Sequence, residues 1–203
     1  MWKTVRMASD LGSEANQVHR AEIAEAAGEV LRFWLVDTPA DKRFAVDPAL
    51  DAQIARTFGD LHEALAREGA RGWSNDPETL LAAVIVLDQF SRNLHRGSAR
   101  AYANDAAALA LTECALDCGW DGSLGAEHRQ FLYMPLMHAE DAAVQERSVA
   151  LFEALGNEKA ADYARRHRDQ IARFGRFPSR NAALGRASTP EEERLIESGE
   201  AGF

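Results

Sequence analysis

The sequence feature that most constrains the fold is an uninterrupted apolar run from Leu80 to Leu87. A run of this length can form either a buried strand or a helix that is buried on all sides. Asp76 and Pro77, just before the run, favour the helix, because Asp caps helix N-termini and Pro fits the first helical turn. We therefore predict a helix at the centre of the fold. A strand at 83–87 would contradict this interpretation.

Apolar residues recur at helical spacing through most of the remaining chain, and the alternation typical of strands is nearly absent. Ile23, Val30 and Trp34, for example, share one face of the first predicted helix. Pro135 predicts a kink or break, because proline removes a backbone donor from the helix interior. The predicted helices span about 18–36, 48–68, 77–95, 104–118, 126–155 with the disturbance at Pro135, 158–174 and 190–198.

The connections between these predicted helices are short, so neighbouring helices should pack as antiparallel pairs. A chain of 203 residues is long enough for one domain with its own core, and no linker divides it. We therefore expect a single all-α domain over residues 18–203. The polar residues 1–17 lack periodicity and are interpreted as a loose lead-in.

The formal net charge of −9 opposes binding to nucleic acid and to anionic membrane surfaces. Residues 159–186 depart from this balance, with one Lys and seven Arg against two Asp. No signal-peptide pattern occurs, and no apolar run reaches the roughly 18 residues of a membrane span. Cys114 and Cys118 are expected to be small core residues rather than a disulfide or metal pair. We expect a cytoplasmic protein, and the oligomeric state stays open.

A first polar cluster directly follows the apolar run. Asp88 and Arg92 are four residues apart, as are Gln89 and Asn93, so each pair shares a helix face. One interpretation is a structural ion pair with further cations near a helix C-terminus. The other is a fork that binds an anion or carboxylate. The cluster also contains Arg96 and Arg100.

A second polar cluster surrounds Pro135. His138, Asp141 and Gln145 lie on one helix row, among apolar residues that should be buried. These polar groups need partners, because each unsatisfied one costs roughly 1–3 kcal/mol. Either a satisfied buried network or a ligand pocket with His138 as an acid–base group fits the pattern. Tyr133 and Glu140 belong to the same cluster.

A third polar cluster follows the last long predicted helix. His167 falls on the apolar face that includes Tyr163 and Ile171, so its imidazole should point inward. A structural role for this histidine and a role in a site both stay open. The arginines nearby could clamp a phosphate or carboxylate. They are accompanied by one amide, and the group is Arg173, Arg176, Arg180, Asn181 and Arg186.

Several enzyme signatures are missing from the sequence. It contains no glycine-rich phosphate loop, no dinucleotide-binding fingerprint, no G-x-S-x-G and no H-E-x-x-H motif. A zinc site built from His138, His167 and either Glu140 or Asp141 has suitable residue types but no characteristic ligand spacing. We therefore expect no metal and no cofactor.

The same clusters carry a resemblance to a known family. The segments LDQFSRN from Leu87, YMPLMHAE from Tyr133 and FGRFPSRN from Phe174 resemble the bacterial domain of unknown function 924 family. That family consists of helical proteins similar in fold to TPR domains, so the resemblance implies a TPR-like right-handed array of antiparallel helical pairs. It covers about residues 28–196. It implies no activity, because the family itself has none assigned. Further matches are Phe33-Trp34, Arg96-Gly97, His167 and Leu184-Gly185-Arg186.

The chain departs from the family pattern at two positions. Ser91 stands where the family often has Pro, and Ser179 stands where it often has His. If that His acts in the family, Ser179 would alter the activity of this member.

Three functional hypotheses follow. The leading one is a binding scaffold whose inner face holds an anionic small molecule or a peptide carboxylate. The second is a hydrolase or lyase that uses His138 or His167 with Glu140 or Asp141 as an acid–base pair. The third is a structural or oligomerising protein whose polar clusters are core networks.

The two site hypotheses require the clusters to meet. We predict that Asp88, Arg92 and Asn93 approach His138 and Glu140, because buried charges need counter-charges. Arg176, Arg180 and Asn181 are expected to close the same cavity.

Overall fold

The computed structural model describes residues 2–202, with side chains described from Asn16 onward. The chain forms an all-helical single domain, and no strand occurs within residues 2–202. Two π-helical segments, Arg32–Asp37 and Ile85–Phe90, and three short 3-10 turns, Ala99–Tyr102, Trp120–Ser123 and Pro178–Arg180, lie among the α-helices. The α-helices are α1 (Trp2–Leu31), α2 (Pro48–Glu68), α3 (Pro77–Val84), α4 (Ser91–Leu94), α5 (Asp105–Asp117), α6 (Ala126–Met137), α7 (Ala142–Ala154), α8 (Glu158–Phe174) and α9 (Pro190–Glu197).

The apolar run forms the centre of the fold, as predicted. It runs through α3 into the π-helical segment Ile85–Phe90, and every residue from Leu80 to Phe90 is buried. Helices α1, α2, α5 and α6 pack around this path. Asp76 caps α3, since its Oδ1 accepts from the backbone N–H groups of Glu78 and Thr79 at 3.0 Å each. The central element is therefore a helix.

Aromatic rings close the core on one side of this path. The ring of Phe90 lies 5.3 Å from that of Trp34, 5.2 Å from that of Phe58 and 6.1 Å from that of Phe33, measured between centroids. The contacts with Trp34 and Phe33 are edge-to-face, a geometry that contributes stability beyond the area that the rings bury. The contacts join α2 and the π-helical segment after α1 to the central path. Within residues 2–202, no helix combines the length and apolar character that crossing a membrane requires.

Two predicted boundaries were wrong. The first helix begins at Trp2 rather than near Val18, so residues interpreted as a loose lead-in are helical from Trp2. The predicted helix 126–155 is divided into two helices, but the break follows Met137 and not Pro135, which lies inside α6.

The break between α6 and α7 has a side-chain cause. The amide of Gln145 donates to the carbonyls of Met137 and Ala139 at 2.7 and 2.8 Å. In a continuous helix, backbone N–H groups of the following turn would bind these carbonyls instead. Asp141 then caps α7 by accepting from Val144 N at 3.0 Å. Helices α6, α7 and α8 pack side by side across short connections, which is compatible with a TPR-like arrangement.

We expect Leu81→Ala to lower the free energy of unfolding by about 2–5 kcal/mol, because it empties a fully buried position in α3. Val46→Ala is the matched control. Val46 is 72% exposed, so its truncation should change stability by less than about 0.5 kcal/mol. Urea unfolding followed by circular dichroism measures both values. Equal losses in the two variants would show that the α3 path is not the centre of the core.

Candidate functional site

Asp88 is the most deeply placed charged residue of the candidate site. It lies in the π-helical segment Ile85–Phe90 and is 0% exposed. Single π-helical turns inside helices are frequent at functional sites. Its carboxylate accepts from Nδ1 of His138 at 2.7 Å and from Nε2 of Gln89 at 2.5 Å, and Nη1 of Arg92 lies 3.1 Å away. Three side chains therefore compensate this buried charge.

The electrostatics of Asp88 follow from these contacts. Burial by itself would raise the pKa of the Asp88 carboxyl, because low dielectric disfavours its charged form. The Arg92 guanidinium and the His138 imidazole outweigh burial and hold the pKa below its usual range. Asp88 is consequently ionised at neutral pH.

Asp105, the first residue of α5, joins two arginines. Arg92 donates to it twice, from Nη1 to Oδ1 at 3.0 Å and from Nη2 to Oδ2 at 3.1 Å. Arg180 donates from Nη1 to the same Oδ2 at 3.1 Å. Asp105 was not among the predicted site residues. An acidic residue in the first turn of a helix is favourable for the helix dipole alone, so the sequence carried no separate signal for this role.

Arg180 is held from several directions. Its Nη2 donates to the backbone carbonyl of His138 at 2.9 Å. Its guanidinium carbon lies 4.7 Å from the ring centroid of Tyr102 and 4.6 Å from that of Phe177, within cation–π range. Burial lowers the pKa of Arg180, and the Asp105 carboxylate opposes that effect. These contacts thus fix the orientation of the side chain.

Two histidines lie side by side in this region, with ring centroids 6.0 Å apart. Nδ1 of His138 faces the ionised Asp88 and therefore carries the hydrogen, which leaves the Nε2 lone pair on the neutral ring. Nδ1 of His167 donates to the carbonyl of Tyr163 at 2.8 Å. Burial lowers the pKa of both imidazoles. The positive charge of Arg92 lowers the pKa of His138 further. The neighbouring His138 lowers the pKa of His167 further, to about 3.

We call Asp88, Arg92, Asp105, His138, His167 and Arg180 the central cluster. With neutral histidines its formal charge is zero, because two carboxylates face two guanidinium groups. The exposed fraction of the side chain increases from 1% at Asp88 to 18% at Asp105 and 21% at Arg92. Solvent therefore reaches the cluster from the Arg92–Asp105 side. A small concavity lined by Phe33, Thr38, Lys42 and Asp47 includes no member of the cluster.

Asn93 does not join His138, contrary to the prediction. Its Nδ2 donates to Oδ1 of Asp51 at 2.8 Å, and Arg96 donates to the same oxygen at 2.9 Å. The helical turn after Arg92 points this side chain toward α2 instead. Gln89, in contrast, stays with Asp88 as described above.

Glu140 and Asp141 do not pair with His138, so the predicted acid–base partners were wrong. Arg186 holds Glu140 with two bonds of 2.6 and 2.9 Å, and the Phe177 N–H donates to it at 2.8 Å. Burial would raise the pKa of Glu140, but the hydrogen bond from Arg186 outweighs this and lowers it. Asp141 is used in capping α7. The carboxylate that meets His138 is Asp88.

The remaining predicted residues have separate partners. Arg176 does not close the site, because it donates to Glu192 at 2.6 and 2.8 Å. Asn181 accepts from Nε of Arg186 at 3.0 Å and donates to Ser188. The Tyr133 hydroxyl donates to Asp121 at 2.8 Å. Ser179 is exposed.

Comparison with known proteins agrees with the fold and with the resemblance. A family model described as "Bacterial protein of unknown function (DUF924)" matches residues 30–200. The chain is also similar to a solved structure of a protein of unknown function, ATU0120 from Agrobacterium tumefaciens, at 41% sequence identity and a TM-score of 0.82. That match covers 87% of this chain and 99% of the other. No curated protein matches the chain.

We expect the free energy of unfolding to decrease as the pH falls below about 6.5, where histidines of the unfolded chain take up protons. In the folded state His138 and His167 stay neutral until the pH approaches their lowered pKa, about 3 for His167. The stability that their neutral forms contribute is therefore fully present above about pH 6.5 and lost progressively on acidification.

Urea unfolding at about pH 8 and about pH 5 measures this loss. His167→Phe should make the loss smaller, since the variant removes one group that resists protonation. His19→Gln is the control, because the His19 side chain is 62% exposed. A loss that His167→Phe leaves unchanged would contradict the assignment.

Proposed function

Because the chain belongs to the DUF924 family of bacterial proteins of unknown function, we propose its function from the central cluster alone: the cluster binds a small anion that carries a carboxylate or phosphate group. One observation carries the proposal. Two largely buried guanidinium groups, Arg92 and Arg180, converge on a single carboxylate at the solvent-accessible side of the cluster.

The arginines have the geometry that planar anions need. A guanidinium fork matches carboxylate and phosphate oxygens with paired hydrogen bonds. Arg92 is anchored by its bond to the Asp88 carbonyl at 2.7 Å, and Arg180 by its bond to the His138 carbonyl. These anchors use only part of each guanidinium. The remaining donors, which now bind Asp105, have a fixed orientation, and this lowers the entropy lost on binding.

Asp105 occupies the position that the oxygens of a ligand would take. A bound anion would compete with Asp105 for the same N–H groups of Arg92 and Arg180. With Asp105 turned away, the two guanidinium groups face Asp88 and Glu140, and Glu140 is already paired with Arg186, so this locality has a net positive charge. An anion can therefore bind there despite the overall charge of −9.

A second function, acid–base catalysis of the hydrolase or lyase type, is favoured by the 2.7 Å contact between Asp88 and His138. A carboxylate on Nδ1 orients an imidazole so that its Nε2 can accept a proton. In this version the anion site would hold a substrate beside His138. Asp88, not Glu140 or Asp141, would be the partner of the base.

We expect inorganic phosphate to raise the melting temperature of the wild-type chain according to RT ln(1 + [L]/Kd), and succinate to do so in a parallel series. Arg92→Ala and Arg180→Lys should reduce the rise strongly, because each removes donors from the fork. Arg165→Ala is the matched control, since Arg165 of α8 pairs with Glu153 of α7 and with Glu158 of its own helix. A rise of the same size in Arg92→Ala would reject the site.

We expect Asp105→Asn to increase the phosphate-dependent shift relative to wild type, because it removes the internal competitor while keeping the shape of the side chain. The same thermal-shift series measures it, with each variant compared against its own ligand-free melting temperature. A smaller shift in Asp105→Asn would mean that Asp105 supports the anion site rather than competing for it.

A further inference from the structure

A second group of titratable side chains lies apart from the central cluster, between α2 and the end of α4. His62 and Glu63 come from α2, and His95 follows α4 directly. One donor atom from each of the three lies within 4.8 Å of the others. The two imidazole rings have centroids 5.3 Å apart.

The hydrogen bonds around His62 determine its tautomer. The Ser91 hydroxyl donates its single hydrogen to the carbonyl of Leu87 at 2.6 Å. Ser91 Oγ must therefore accept from Nε2 of His62, 2.8 Å away, and we assign the hydrogen to this nitrogen. Nδ2 of Asn104 lies 3.3 Å from the same ring nitrogen and 3.2 Å from the Ser91 oxygen, and with this tautomer it donates to the oxygen. Nδ1 of His62 is left with a lone pair.

That lone pair is buried and has no hydrogen-bond partner. His62 is only 2% exposed, and its Nδ1 finds no donor among the described residues. Nε2 of His95 is a second buried nitrogen without a partner among them. Unsatisfied buried polar atoms are rare in folded proteins. Two such nitrogens on neighbouring imidazole rings indicate one partner that binds both.

We propose that Nδ1 of His62, Nε2 of His95 and a carboxylate oxygen of Glu63 bind a divalent transition-metal ion of the Zn²⁺ class. Two histidines and one carboxylate are a donor set that zinc accepts, with a fourth position left for water or an external ligand. The bond from Nε2 of His62 to Ser91 is the outer-shell contact that orients a metal-ligating imidazole.

The electrostatics of the histidines suit ligation at neutral pH, because a metal binds the neutral imidazole. Burial lowers the pKa of His62, and the neighbouring His95 lowers it further. Burial also lowers the pKa of His95, together with the nearby Arg100. Both rings are therefore neutral without help from the metal.

Binding requires a small rearrangement. In a tetrahedral zinc site whose ligand atoms lie about 2.1 Å from the metal, those atoms lie about 3.4 Å from one another. The three donor atoms here lie within 4.8 Å of one another, so they must move closer together. The Glu63 side chain is 57% exposed and can rotate inward. Glu63 is now paired with Arg100, which must release it and which repels a cation. Arg100 therefore opposes metal binding without being a ligand.

The ligand set explains why the sequence pattern did not indicate a metal. His62 and Glu63 are adjacent, and His95 lies in a different element, so no motif spacing links the three. The expectation of no metal rested on His138 and His167, which belong to the central cluster. The proposed site uses neither of them and does not depend on the proposed anion-binding function.

The test titrates the chelator-treated full-length chain with Zn²⁺ by calorimetry and with Co²⁺ by visible absorption. We expect one equivalent of each metal to bind, with the absorption of a four-coordinate Co²⁺ site. His62→Gln and His95→Gln should each weaken binding by more than about 100-fold, and Ser91→Ala by about 10-fold through loss of orientation. Circular dichroism reports whether each variant is folded.

Two further variants keep the proposal falsifiable even if a histidine variant fails to fold. Arg100→Ala should strengthen Zn²⁺ binding, because it frees Glu63 and removes a positive charge. His19→Gln is the matched control and should leave the affinity unchanged, because the His19 side chain is 62% exposed and belongs to neither proposed site. The proposal is overturned if the wild-type chain binds no stoichiometric metal, if Arg100→Ala weakens binding, or if His19→Gln abolishes it.

Discussion

The ionised Asp88 at the centre of an apolar helix is the constraint on which the rest of the site depends. A carboxylate in an apolar core is tolerated only when counter-charges and hydrogen bonds compensate its lost hydration. Asp88 therefore requires Arg92 from α4 and His138 from the end of α6 in fixed positions. The π-helical turn that contains Asp88 places its side chain among the elements that provide them.

The partners of Asp88 have charged partners of their own, nearer the surface. Arg92 also binds Asp105, which ties α5 to the central path, and Asp105 in turn binds Arg180. Arg180 returns to the carbonyl of His138 and so ties the 3-10 turn Pro178–Arg180 to the end of α6. The charges thus form one connected network, and Asp105 is the more exposed of its two carboxylates.

The central cluster and the proposed metal site share a short stretch of the central path. Ser91 orients His62, while the adjacent Arg92 serves the central cluster. Two adjacent residues at the start of α5 also serve the two sites separately. Asn104 contacts Ser91 beside the proposed metal site, and Asp105 contacts Arg92 in the central cluster. Of the two serines at which we expected a departure from the family pattern, Ser91 is buried and hydrogen-bonded to His62, whereas Ser179 is exposed.

The sequence by itself determined the helical class, the buried central helix and many helix ends. These depend on short-range physics: apolar periodicity, Asp76 and Pro77 at the start of α3, and the capping box in which Thr189 and Glu192 begin α9. It also indicated that Asp88, Arg92, His138 and Arg180 are unusual, because charged residues interrupt faces that should be buried.

Only the tertiary structure decided which of these groups meet. Asp88 and His138 are 50 residues apart, and Asp105 and Arg180 are 75 apart. Their pairing depends on how whole helices pack, which local pattern does not encode. The break after Met137 is an example. Gln145 satisfies carbonyls at the end of α6, so the helix can end there. Beyond this end His138 pairs with Asp88, and Glu140 pairs with Arg186.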